Sequence, residues 1–93
     1  MAEMTMVEAL NLALDQCMDR DADVCLMGED IGINGGVFRV TKGLYEKYGA
    51  RRVMDSTLAE CGIIGTAVGM AIYGLKPVTE IQFSGFTMQA FDQ

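Results

Sequence analysis

From Cys61 to Leu75 the chain carries no charged residue, glycines at 62, 65, 69 and 74 punctuate the run, and Glu60 stands at its mouth. So apolar a stretch has to pack against something, and it falls short of the roughly 18 residues that cross a membrane. It is therefore expected to be a buried core helix. Gly62, Gly65 and Gly69 put small residues on one face of that helix, which suits close packing. The lone carboxylate admits two accounts. An acid in the first turn of any helix is favoured by the dipole and by unpaired backbone N–H groups. Burial, however, disfavours the charged form of a carboxyl and raises a glutamate from roughly 4.3 toward the range where it can both give and take a proton near neutrality.

Around this run, helical and extended patterns alternate. Thr5 and Glu8 form a capping box, and Val7, Leu10, Leu14 and Cys17 share one helical face, which predicts an amphipathic helix over 5–19. Val24 to Met27 is a short apolar run ending at Gly28, read as a buried strand, and 31–36 is a glycine-rich loop in which Gly35-Gly36 reads as a flexible turn. A short helix over 41–48 closed by Gly49, and a second strand over 52–54, lead into the Glu60 turn. The apolar helix spans 59–73 and ends at Gly74; a third strand follows over 77–83, with Pro77 tolerable only at its first position, and Ser84 opens another helix. Strands separated by helical segments imply an α/β fold with a parallel sheet and crossover helices, without internal repeat or interdomain linker.

Composition narrows the function classes. With 51% hydrophobic and 22% charged residues, the chain has the apolar content of a folded domain. A net charge of −6 argues against nucleic acid or an anionic membrane as partner, because phosphate binding needs a basic face. No signal peptide or transmembrane span is legible. Cys17, Cys25 and Cys61 lack metal or redox spacing and read as small core residues in a reducing cytosol. The eight methionines read as core gap-fillers. Histidine is absent, which removes Ser/His, Cys/His and His-based metal sites. No strand is followed by a dinucleotide fingerprint or a phosphate loop. The acids left in suggestive places are Glu29, after the first strand, and Glu60, after the second. In a parallel sheet both fall at the carboxyl edge, where ligand crevices form, although each could equally be a solvated loop acid.

Seven blocks occur in the order and spacing of one family: Thr5 to Leu10, Gly28-Glu29-Asp30, Gly35 to Thr41, Arg52 to Asp55, Leu58-Ala59-Glu60, Gly74 to Val78, and Glu80 to Phe83. The chain resembles the amino-terminal part of the β subunit of a thiamine-diphosphate-dependent 2-oxo acid dehydrogenase, of the branched-chain, pyruvate or acetoin type. The resemblance implies a transketolase-like pyrimidine-binding domain over 1–93, incomplete because family members run several times longer. One local departure is Ser56-Thr57 where the family has Thr-Pro, which removes a proline that would fix φ at the turn into the helix.

The same resemblance implies roles for individual residues. By it, Glu60 matches the glutamate that hydrogen-bonds the cofactor's aminopyrimidine ring nitrogen and favours the imino tautomer that takes a proton from the thiazolium carbon. Leu58 and Ala59 fall where main chain and apolar surface meet the pyrimidine, and Phe86, which the sequence alone would make a core aromatic, falls where an aromatic ring stacks on it. Gln82, Gln89 and Glu29 match further pocket positions. The parent activity implied is oxidative decarboxylation of a 2-oxo acid, with acyl transfer to a lipoyl-bearing acyltransferase. An α subunit would hold the diphosphate and its magnesium through a Gly-Asp-Gly motif missing here, and a second β subunit would complete a cytoplasmic assembly. The isolated chain is expected to be inert. Two other readings stand beside this one: a noncatalytic interaction module that uses the Gly62 to Gly74 helix for association, and an unrelated doubly wound domain binding a nucleotide or phosphate.

Overall fold

The computed structural model describes residues 2–93, so that Met1 of the span read as a domain lies outside the described residues. The first helix, α1 (Met6–Arg20), starts where the sequence says it should: Thr5 Oγ1 accepts from Glu8 N–H at 3.2 Å, and the Glu8 carboxylate accepts from Thr5 N–H at 2.7 Å. Two backbone donors at the open end of the helix are thereby satisfied. The buried face is rotated from the expected one. Met18 is fully buried and Leu14 packs beside it, whereas Cys17 is exposed and Leu10 about half so.

Strand β1 (Val24–Gly28) is buried along its whole length, because it runs between β2 (Val53–Asp55) and β3 (Lys76–Glu80) with parallel pairing on both sides. Leu26 pairs with Val53 and Val78, and Gly28 with Asp55 and Glu80, so the three carboxyl ends finish level. Gly28 has to be glycine. A Cβ there would sit 3.0 Å from the Glu80 carbonyl oxygen and 3.0 Å from Ile31 Cγ2. Val24 and Leu26 point to one face, where Met18, Leu44, Val53 and Ile31 complete the core against Leu14, Tyr45 and Tyr48.

Arg52 joins these pieces at the amino end of the sheet. Its Nη2 donates to the carbonyls of Met18 and Asp21 at 2.8 Å and of Val24 at 2.9 Å, and its guanidinium lies 5.0 Å from the centre of the Tyr48 ring. The last carbonyls of α1 thus find a donor that the helix itself lacks. Tyr48 belongs to α2 (Leu44–Tyr48), which is shorter than the 41–48 expectation. Gly43 precedes it with φ +82, and Thr41 instead turns inward, its hydroxyl donating to the Ile31 carbonyl at 2.7 Å.

The second sheet face carries α3 (Glu60–Ile72), ended by Gly74 at φ +101. Here the expectation of a buried core helix is corrected: only Glu60 and Ile63 are buried, while Val68, Ile72 and Tyr73 are exposed and Gly69 has open space around it. Helix α3 packs against β3 and against residues 84–90, which leaves Val68 and Ile72 exposed; Cys61, expected in the core, is exposed too. The methionines divide likewise, with Met18 and Met27 buried and Met6 and Met88 exposed.

Strand β3 begins one residue early and ends at Glu80 instead of Phe83, which places Pro77 second. Lys76 N–H donates inward to the Asp23 carbonyl at 2.9 Å, so the Pro77 nitrogen faces the open edge, where no ladder donor is required. The helix expected from Ser84 is a 3₁₀ turn, Ser84–Ala90.

Leu26, at 2% exposure in the central strand, should be the least dispensable side chain of the core. Leu26→Ala is expected to cost about 2–5 kcal/mol in chemical denaturation, read as a fall in midpoint at unchanged slope.

Candidate functional site

The strand order β2-β1-β3 makes the chain reverse direction across β1, and the gap between β1 and β3 at their carboxyl ends is where open parallel sheets bind ligands. Three segments leave the sheet there: Glu29 after β1, 56–59 after β2, and Ile81-Gln82 after β3. Gln82 Nε2 donates to the Glu29 carbonyl at 3.4 Å and closes the gap. Asp55, at the end of β2, accepts the Gly32 N–H on Oδ1 at 2.7 Å, which pins the loop after β1 against the second strand.

Glu60 is the first residue of α3 and is buried, at 6% exposure. Among the described residues no ion pair involves it. Glu29, half-buried, feels it: desolvation first, then the negative charges of Glu60 and Asp30, hold the Glu29 carboxyl above its ordinary range. The two acids singled out in the sequence are therefore neighbours in electrostatic terms. Ala59, half-buried, caps α3 without a side-chain bond. Phe86 projects from the 3₁₀ turn with 36% of its surface exposed, and its ring stands edge-on to Phe83 at 5.6 Å. Leu58 and Gln89 are exposed.

Two concavities flank this edge. One, of about 260 Å³, is lined by Met27, Ser56, Thr57, Ala59, Gly62 and Thr66 at the turn into α3. The other, of about 340 Å³, is an apolar groove between α1 and β3 that includes Leu10, Leu14, Phe38, Val78, Glu80 and Gln82. Glu80 was missed in the sequence because the third strand was read as running to Phe83, past the true edge. Its Oε2 is buried without a hydrogen-bond partner, and desolvation raises its carboxyl above the ordinary glutamate range. Asp55 was missed as a site residue for a similar reason, since the second strand was ended at Met54. Among the described residues no cluster of three or more His, Cys, Asp or Glu could hold a metal ion, and no helix is long and apolar enough to cross a membrane.

Residues 2–93 match the family model described as transketolase, pyrimidine-binding domain. The chain belongs to that family. It is similar to proteins named pyruvate dehydrogenase E1 component subunit beta: 56% identical over 93 residues to that of Staphylococcus epidermidis, covering 100% of this chain and 29% of the relative. The corresponding figures are 55% over 91 residues for Acholeplasma laidlawii, covering 98% and 28%, and 54% over 92 residues for Staphylococcus aureus, covering 99% and 28%. The chain thus spans less than a third of the length of these relatives.

A carboxyl whose folded pKa is raised is better tolerated protonated. Its penalty is absent below the ordinary glutamate pKa and appears as pH rises through the shifted value. Glu80→Gln is accordingly expected to raise the denaturation midpoint at about pH 7, with the gain vanishing toward about pH 4. Denaturant titrations of both proteins at the two pH values check this.

Proposed function

We propose that this chain forms the pyrimidine-binding side of a thiamine-diphosphate site in the decarboxylase component of a 2-oxo acid dehydrogenase. Buried Glu60, without an ion-pair partner and next to the sheet's carboxyl edge, is the observation that carries the reading. The residues present suit an aminopyrimidine, which offers ring nitrogens, an amino group and a flat apolar face. Glu60 supplies the carboxyl that exchanges a proton with the ring nitrogen, Glu29 and Gln82 supply further polar groups at the same gap, and Phe86 supplies a partly exposed aromatic ring. Main chain and apolar surface at Leu58 and Ala59 border the ring, and Gln89 is assigned to the same pocket.

When bound, thiamine diphosphate supplies the electron sink that lets a 2-oxo acid lose carbon dioxide. The part played by this chain is to orient the aminopyrimidine, keep water from the Glu60 carboxyl, and move one proton between that carboxyl and the ring nitrogen. The diphosphate and magnesium are assigned to an α subunit, since no Gly-Asp-Gly sequence occurs here. A second β subunit, acyl transfer to a lipoyl-bearing acyltransferase, a substrate of the pyruvate, branched-chain or acetoin type and a cytoplasmic setting belong to the same proposal, and the names of the relatives favour pyruvate. These 93 residues alone should not turn over a 2-oxo acid, because they line one side of such a site.

A second reading has its own observation. Exposed apolar side chains late in α3 and just beyond it, Val68, Ile72, Tyr73 and Leu75, suit a chain that associates without catalysis. Glu60→Gln separates the two. In an assembly reconstituted with the α partner it should lower kcat on a 2-oxo acid about 10²- to 10⁴-fold and leave subunit association unchanged. Retention of full activity would discard the catalytic reading and keep the associative one.

A further inference from the structure

The segment from Gly35 to Thr41 gives Phe38 to the apolar groove but holds none of the residues assigned to the cofactor, and it is held firmly. Gly35 and Gly36 take φ of +77 and +86, and Arg39, not a glycine, takes +66. Strain of that kind persists only where surrounding bonds over-determine it. Gly36 N–H donates to the Asp30 carbonyl at 2.8 Å, Asn11 Nδ2 on α1 donates to the Val40 and Lys42 carbonyls at 2.7 and 3.0 Å, and Arg39 donates to the Asn34 carbonyl. The product of this bracing is the place of one side chain. Phe38, itself 52% exposed, meets Phe83 edge-to-face at 5.5 Å and 80°, and Phe83 meets Phe86 at 5.6 Å and 85°. Three rings from two separate segments form a chain that ends at Phe86. A half-exposed phenylalanine does little for the core, so its placement is explained better by what it steadies.

We propose that Phe38 is a positioning residue of the cofactor pocket, holding Phe83 and through it the plane of Phe86; this rests on the reading that Phe86 meets the aminopyrimidine. The contact energies of edge-to-face pairs translate into a several-fold effect on binding. The test uses the assembled enzyme carrying this chain, titrated calorimetrically with thiamine diphosphate and magnesium, with the near-ultraviolet circular dichroism of the bound aminopyrimidine as second readout. Phe38→Leu should weaken binding roughly three- to tenfold and shrink the dichroic band, Phe38→Tyr should keep both, and the denaturation midpoint should not move. Binding unchanged in Phe38→Leu but weakened in Phe86→Leu would overturn the positioning role while leaving the pocket reading intact. A Phe38→Leu midpoint that falls in step with affinity would overturn it as well, by making Phe38 a packing residue. If Phe86→Leu and Glu60→Gln both bind like the wild type, the pocket reading itself fails and takes the inference with it.

Discussion

Arg52 is the interaction on which the arrangement of this chain depends. One guanidinium gathers carbonyls from the end of α1 and the start of β1, lies over the Tyr48 ring of α2, and belongs to the residue just before β2. Four elements meet at a planar group with five fixed donors, which an ammonium could not replace. Because the amino ends of β1 and β2 are registered there, their carboxyl ends finish level at Gly28 and Asp55, and Glu29 and Glu60 are delivered to the same edge. The site at one end of the sheet is a consequence of the clamp at the other.

Much of this was legible wherever local chemistry decides. The Thr5–Glu8 capping box, the apolar run at Val24 to Met27, and the glycine stops at 49 and 74 each act within a few residues, and each appears where expected. Glu60 was legible as a candidate because it stands alone at the mouth of an uncharged run, while its burial was left open between two accounts and is decided by the structure. What could not be read depends on neighbours distant in sequence. Helical periodicity identifies α3 as apolar but does not say which side finds a partner, and the Met18 face of α1 differs from the Cys17 face by one residue's rotation. The carboxyl edge was misplaced by ending β2 one residue early and β3 three residues late, so Asp55 and Glu80 escaped notice as site residues. Phe38 and Phe83 come together only through the braced loop, and no spacing rule anticipates that contact.

The acids at this edge have been given different surroundings. Glu60 is buried, Glu29 is half-buried with its carbonyl tied to Gln82, and Glu80 faces an apolar groove with one oxygen unpaired. Desolvation holds the carboxyls of Glu29 and Glu80 above the ordinary glutamate range, and at Glu29 the negative charges of Glu60 and Asp30 add to the rise. Phe38 lines the same groove as Glu80 and Gln82, so an aromatic ring adds shape there without adding charge.

Pro77 carries a consequence of another kind. Its nitrogen lies along the outer side of β3, an edge with no strand beyond it among the described residues. A foreign chain laid against that edge would find one rung of its ladder without a donor, at the second residue of a five-residue strand. Indiscriminate sheet extension, the first step toward aggregates of stacked strands, is hindered there by a single ring closure, while the inward pairing to β1 is untouched.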